Sequence, residues 1–342
     1  MTPIPQPPSK LFLHNLLELS PDSPVQDMMA LARKYGPIYQ LDFSGRKLVV
    51  VSSHELVNEL SDEKRFDKTV RGALKLVRRF AGDGLFTART GEPNWSKAHN
   101  ILMPNFGPKA MQSYHPMMLD IAEQLVGKWE RLNPDDEVEV TTEMTSLTVD
   151  TIGLCGFDYR FNSFYHDGDH PFVNSMASAL GITMDQMRDL PLEGLIRKAR
   201  NEKLEDDVGC MNGIVDQIIR ERKASGEDLA SKADLLSYML SGVDRKTGER
   251  LDDLNIRYQV ITFLIAGHET TSGLLSFATY ALLNNPEVLA NACAEVDRVL
   301  GNGRPTYAQV NQLHYITQIL KEALRLWPTA PAYSLASYEA TT

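Results

Sequence analysis

Cysteine is scarce in this sequence. Its 342 residues hold three, Cys155, Cys210 and Cys293, odd in number, widely spaced and without a C-x-x-C pair, so neither a disulfide framework nor a zinc site is indicated. Each reads most simply as a small core or helix-face residue. No stretch reaches the roughly 18 consecutive apolar residues of a membrane span, and the start MTPIPQPPSK has neither an anchor nor a secretion signal. The expectation is a soluble, cytoplasmic protein. Positive charge is in the minority, with 35 Lys and Arg against 45 Asp and Glu for a net charge of -10, which argues against nucleic acid as the main partner. Internal repeats and low-complexity segments are also missing. What is present is 43% hydrophobic content, ample for the core of one large domain or two smaller ones.

Pro3, Pro5, Pro7 and Pro8 make the N-terminus an extended arm, and Pro24 to Lys34 has amphipathic helical spacing. Ile38 to Phe43, Ser44-Gly45 and Lys47 to Val51 read as a β-hairpin. Helix returns at His54 to Asp62. Asp67 to Phe80 is a basic amphipathic segment, closed by Gly82-Asp83-Gly84 before Leu85-Phe86. From there the pattern is overwhelmingly helical: Asn94 to Leu102, Pro108 to Leu132, Thr142 to Cys155, Pro171 to Met187, Leu204 to Ala224, Lys232 to Leu240, Pro286 to Leu300 and Tyr307 to Leu326. Strands are expected at Glu137 to Thr141 and from Tyr333 to Glu339. The charge runs Glu205-Asp206-Asp207 and Glu221 to Lys223 read as solvated helix faces.

The chain is organised around Leu251 to Pro286. Asp252 or Asp253 can cap its start and the Asn285-Pro286 step stops it, leaving roughly 30 residues, a rod of about 45 Å. Ile256, Val260, Phe263, Leu264, Leu274, Leu275 and Ala278 follow helical spacing, and Ile261 and Ile265 make the middle apolar on nearly every side. Ala266-Gly267-His268-Glu269-Thr270-Thr271 interrupts that apolar run. The Thr270 hydroxyl can bond back to the Ala266 carbonyl, and Gly267 removes a side chain beside it, so a loosened turn is expected. Ala266, Gly267 and Thr270 share a face on which a flat partner could lie, with Glu269 about 100° round the axis. An acid and an alcohol beside a flat ligand suggest proton delivery; a packed Gly with a back-bonded Thr needs no ligand at all. A zinc-protease H-E-x-x-H is excluded, because the second His would fall at Ser272.

This helix, Glu322-Ala323-Leu324-Arg325, and Trp95 with His99 together resemble the cytochrome P-450 family, haem-thiolate monooxygenases whose fold is mainly α with a small β-sheet. In that family A-G-x-[DE]-T-T lies on the long distal helix over the haem and E-x-x-R on a proximal helix. Alone, Glu322 and Arg325 are an i, i+3 pair found on any helix. The order and separation of the motifs, and Trp327-Pro328-Thr329-Ala330-Pro331 directly after the second, carry the resemblance. GLCGFDYRFNSFY (Gly153 to Tyr165), FAGDGLFTA (Phe80 to Ala88), ITFLIAGHETTSGLLSFA (Ile261 to Ala278) and EALRLWPTAPAYSL (Glu322 to Leu335) are similar to the bacterial self-sufficient fatty-acid hydroxylases, in which a haem domain is fused to a flavin reductase. The similarity covers nearly the whole chain and is weakest from Gly181 to Lys203.

The resemblance implies a monooxygenase that hydroxylates long-chain fatty acids with O2 and electrons from NADPH, delivered through a flavoprotein reductase carrying FAD and FMN, at a haem b. By it, Glu269 and Thr270 would relay protons to oxygen at the iron, and Ala266 and Gly267 would leave room for dioxygen. Lys68, Trp95 and His99 would face the haem propionates and edge, and Glu322 and Arg325 would be structural. Leu74, Val77, Ala81, Phe86, Leu180, Ala330 and Ala332 would line a narrow apolar channel, with Phe86 nearest the iron; each taken singly is equally a core residue. Arg46 matches the residue at the channel mouth that meets the substrate carboxylate, while the tyrosine usual beside it is Val50 here, which removes a hydroxyl donor.

In this family the axial cysteine thiolate sits in a glycine-rich F-x-x-G-x-R-x-C-x-G loop well after E-x-x-R, and it favours O–O cleavage. Cys155, Cys210 and Cys293 have no such loop around them. No metal ligand is therefore expected in this chain, and the axial cysteine is expected beyond Thr342. Residues 1–342 are expected to form a single, incomplete haem domain without a reductase domain. With sheet edges unpaired and a large apolar face uncovered, it is expected to be poorly soluble or molten alone. The competing expectation is a haem-free remnant that acts as an apolar-ligand-binding or interaction protein.

Overall fold

The β-branched run after Gly45 pairs as its alternation requires. In the computed structural model, which describes residues 3–9, 15–20, 23–43, 45–166, 168–186, 194–229 and 232–340, β1 (Ile38–Phe43) and β2 (Arg46–Val51) form an antiparallel hairpin in the register Ile38↔Val51 to Phe43↔Arg46. Gly45 takes φ +88°, a conformation that favours glycine, and its N–H donates to Asp42 Oδ1 at 2.7 Å. Before the hairpin lies α1 (Pro24–Tyr35). A small core gathers Leu31, Tyr39 and Leu41, and the buried Tyr39 hydroxyl donates to the Met28 carbonyl at 3.0 Å. α2 (His54–Leu60) follows, capped by the Ser53 hydroxyl on Leu56 N–H.

The basic amphipathic segment Asp67 to Phe80 opens in a strand: β3 (Phe66–Lys68) pairs antiparallel with β4 (Leu335–Ser337), which falls within the strand expected from Tyr333. Among the described residues the small β content expected forms two separate two-stranded sheets. A three-residue strand has too little alternation to stand out in a sequence. These elements form one compact unit, Met1–Thr69 with Pro331–Thr342; Val70–Ala330 form a second.

The second unit is helical: α3 (Ala73–Ala81), α4 (Pro93–Leu102), α5 (Pro108–Trp129), α6 (Val140–Phe157), α7 (Pro171–Gln186), α8 (Gly194–Ala224), α9 (Leu235–Ser241), α10 (Asp253–Leu283), α11 (Pro286–Leu300), α12 (Tyr307–Val310) and α13 (His314–Leu326). α10 runs through it and packs on α3, α6, α8, α9, α11 and α13. Val260, Ile261 and Leu264 of α10 meet Val149 of α6, Met176 of α7 and Met211 and Val215 of α8 in one core.

Four expectations change here. The strand at Glu137 to Thr141 is absent; Glu139 instead caps α6, its carboxylate accepting from the Thr141 hydroxyl at 2.5 Å. The helix expected from Tyr307 to Leu326 is broken at 311–313: the Thr306 capping box starts α12, a single turn that ends at Asn311 before α13 begins. Asp207, assigned to a solvated face, is 3% exposed and accepts from Ser178 Oγ at 2.6 Å and from Lys203. Arg222, also assigned to a solvated face, is 7% exposed and binds Asp234, Ser237 and the Phe157 carbonyl. A charge run on a long helix goes inward wherever a partner supplies the matching group. Met187, the end expected for the helix from Pro171, lies outside the described residues.

Candidate active site

α10 begins where Asp252 accepts from Asn255 N–H at 2.8 Å and ends where Asn284 and Asn285 donate to the Tyr280 and Ala281 carbonyls. Its middle is buried on most sides, yet Ala266, Glu269, Thr270 and Thr271 are exposed. Helical geometry puts Ala266 and Thr270 one above the other and Glu269 beside them. Thr270 Oγ1 donates to the Ala266 carbonyl at 2.9 Å, as expected. The turn nevertheless stays α-helical, so the expected loosening is corrected.

Gly267 points elsewhere. A Cβ there would lie 3.1 Å from Ile152 Cγ1, so this glycine serves the close approach of α6 and α10, not the exposed face. His268 is 4% exposed on the far side and donates through Nδ1 to the Leu264 carbonyl at 2.8 Å, while its own carbonyl accepts from Thr148. The first bond lies within α10; the second joins α6 to α10.

The exposed face is bounded along α10 in both directions. Toward the C-terminus, Trp327 stacks on Phe277 at 5.4 Å between ring centroids, and the space Gly273 leaves is filled by Thr329. The segment after α13 thus runs back along α10 as far as Gly273, and Ala330, the next residue, is exposed. Toward the N-terminus, a Cβ on Gly84 would fall 2.2 Å from Thr262 Oγ1, so the 82–84 turn lies directly on α10. Leu85 N–H donates to Gln259 Oε1 at 3.0 Å, about two helical turns before Ala266, and Phe86 follows with 54% of its surface exposed.

Behind that turn is a chain of polar bonds that the sequence did not disclose. Gln259 donates to Asn255 Oδ1 at 3.0 Å, Asn255 donates to Asp83 Oδ1 at 2.8 Å, and Asn94 donates to Asp83 Oδ2 at 2.7 Å. Gln259 and Asn255 are 0% and 1% exposed. Two carboxamides at i, i+4 in an otherwise apolar helix were the signal available. On the outside, Arg78 holds Glu92 with bonds of 2.7 and 2.6 Å and the Thr87 carbonyl at 2.9 Å. The Arg78 guanidinium holds the Glu92 carboxyl below its ordinary value.

Trp95 and His99 are half-buried on α4 and stack at 5.0 Å. Val77 and Ala81 of α3 are buried, with Leu74 half-buried beside them; Leu180 of α7 is half-buried against the same core. Glu322 and Arg325 are exposed on α13 and bind each other at 2.6 and 2.7 Å. Three expected site residues belong to the first unit. There Arg46 is exposed opposite Phe43, Lys68 is half-buried opposite Leu335, and Ala332 is exposed.

A flat macrocycle such as the haem implied by the resemblance fits the exposed face. Ala266 offers only a methyl group, the Thr270 hydroxyl is tied down, and the turn before Phe86 and Thr329 before Ala330 meet α10 on either side of it. The cysteines do not join it. Cys155 is buried against the Tyr114 carbonyl with its thiol pushed up to about 12 by burial; Cys210 lies on α8 and Cys293 is exposed on α11.

Among the described residues, no helix is long and apolar enough to cross a membrane. A family profile for cytochrome P-450 matches residues 4–336. The bifunctional cytochrome P-450/NADPH–P-450 reductase of Bacillus cereus is 56% identical over 338 residues, 99% of this chain and 32% of that protein. A bifunctional cytochrome P-450/NADPH–P-450 reductase of Bacillus subtilis is 54% identical over 340 residues with the same shares, 99% and 32%. The self-sufficient cytochrome P-450 monooxygenase of Phanerodontia chrysosporium is 45% identical over 342 residues. The chain thus spans 32% of the length of each of these curated relatives. The match across 4–336 and these identities establish that the chain belongs to the cytochrome P-450 family.

Proposed function

We propose that residues 1–342 form the haem-binding part of a monooxygenase that hydroxylates long-chain fatty acids, with electrons from NADPH passing through a flavoprotein reductase that carries FAD and FMN. The observation that carries this reading is the exposed Ala266–Glu269–Thr270 face in the middle of a helix that is otherwise largely buried. Relatives named as fusions of a cytochrome P-450 with its NADPH reductase support it.

Haem b, when bound, supplies dioxygen binding and redox chemistry at its iron. The residues of this chain do the rest. Ala266 permits close approach of a flat ring, and Trp95 and His99 offer N–H groups to its carboxylates. Thr270 Oγ1, donating to the Ala266 carbonyl, keeps lone pairs free to accept a hydrogen bond above the ring; rotation of the hydroxyl hands a proton on. Glu269, exposed beside it, exchanges protons with water and resupplies that hydroxyl. Leu74, Val77, Ala81 and Leu180 line an apolar approach that keeps water away, with Phe86 and Ala330 at its inner end. Arg46 is the cation for the substrate carboxylate; at an exposed position such a pair contributes only about 0 to 1 kcal/mol. A thiol as buried as Cys155 resists ionisation, and neither Cys210 nor Cys293 belongs to the Ala266–Thr270 face. None of the three cysteines is therefore assigned as the thiolate that would hold a haem iron.

In the polypeptide carrying these residues with haem and its reductase, Thr270→Ala is expected to send electrons to peroxide and water, lowering product per NADPH by roughly tenfold or more. Equal product per NADPH in variant and parent would overturn the proton-relay role.

A further inference from the structure

We infer that Gln259 is a positioning residue that fixes where the Phe86 ring stands. The ring itself has little to hold it, with more than half its surface exposed. Its backbone, in contrast, is clamped on both sides. On one side Leu85 N–H ends on Gln259 Oε1 at 3.0 Å. On the other, Thr87 is 0% exposed, its hydroxyl donates to the Gly82 carbonyl at 2.8 Å and its carbonyl accepts from Arg78 at 2.9 Å.

The polarity of the chain behind Leu85 is forced from one end. Asp83 can only accept when ionised, so it takes the Asn94 and Asn255 amides; Asn255 must then turn its oxygen to Gln259, and Gln259 its oxygen to Leu85 N–H. Neither carboxamide can flip without placing two donors or two acceptors face to face in a buried site. The orientation of Gln259 is therefore dictated by Asp83 through Asn255, and Gln259 delivers it to the backbone that carries the ring. Its placement is read from the geometry; its consequence for product distribution rests on the monooxygenase reading above.

The test uses the full chain with para-fluorophenylalanine at position 86. In the parent a single sharp 19F line is expected. Gln259→Met keeps the bulk, removes acceptor and donor together, and is expected to shift or split that line and to accelerate amide exchange across residues 83–86 by roughly tenfold or more. Gln259→Glu keeps the acceptor for Leu85 and, when protonated, the donor to Asn255. It is expected to give the parent line at acid pH and, once the ionised carboxylate faces the Asn255 oxygen and the directed chain is broken there, a shifted or split line at alkaline pH. A parent-like line and parent-like exchange in Gln259→Met overturn the inference. Should that variant fail to fold, a 19F line in Gln259→Glu that does not change with pH overturns it. In the haem-loaded protein with its reductase, the ratio of hydroxylated carbons is expected to shift with the ring. A displaced ring with an unshifted ratio upholds the positioning by Gln259 and removes Phe86 from the proposed channel.

Discussion

Arg222 and Arg325 are each clasped by a carboxylate, Asp234 at 2.8 and 2.9 Å and Glu322 at 2.6 and 2.7 Å, yet they sit in opposite surroundings. The side chains of the first pair are 6% and 7% exposed, those of the second 67% and 55%. Arg222 also donates to Ser237 Oγ and to the Phe157 carbonyl, so one guanidinium joins α8 to α9 and α6. Arg325 reaches one turn back along its own helix. Arg78 with Glu92 stands between them at 33% and 27%, tying α3 to the start of α4. An ion pair's consequence follows from what water would do in its place. Taking one partner from a dry site strands the other, whereas an exposed partner is simply resolvated.

That gradient can be broken by substitution. Arg222→Met leaves Asp234 buried without its cation and is expected to destabilise the second unit by about 3 to 5 kcal/mol, measured as a fall in the midpoint of urea unfolding. Replacing Arg222 and Asp234 together by apolar residues should recover much of that loss. A single variant with an unshifted midpoint would mean that the two pairs do not differ.

The middle pair gives a pH test. Arg78 lowers the folded-state value of Glu92 below its ordinary 4.5, so the contribution is complete above about 4.5 and is lost as pH falls through the folded value. Partial exposure keeps it to about 1 kcal/mol or less. The protection of the amides in residues 85–92, taken relative to their intrinsic exchange at each pH, is expected to fall in that acid range in the parent and to stay constant there in Glu92→Gln. Smallest of all, Glu322→Gln is expected to leave the unfolding midpoint of residues 1–342 where it was, because its partner is solvated. A clear destabilisation would show that the exposed pair depends on more than its partner.

The two pairs also mark how far the chain could be read. Glu322 and Arg325 stood out because they share a motif with other proteins, whereas Arg222 looked like one more charge on a long polar helix. Spacing in one dimension does not say which face of α8 meets α9. Asp207 escaped for the same reason, and β3 because three residues are too few to show a period.

The sequence by itself determined the long apolar helix with its capped ends, the hairpin, and the Ala266–Thr270 interruption, including the bond from the Thr270 hydroxyl to the Ala266 carbonyl. All of these follow from local rules of capping, period and back-bonding within a few residues. Tertiary structure decided that Gly267 serves Ile152 and not the exposed face, that Asp83, Asn255 and Gln259 join into one directed chain, and that Arg222 is buried while Arg325 is not. Each of these depends on a neighbour far away in the chain, and only folding brings that neighbour close enough to exclude water.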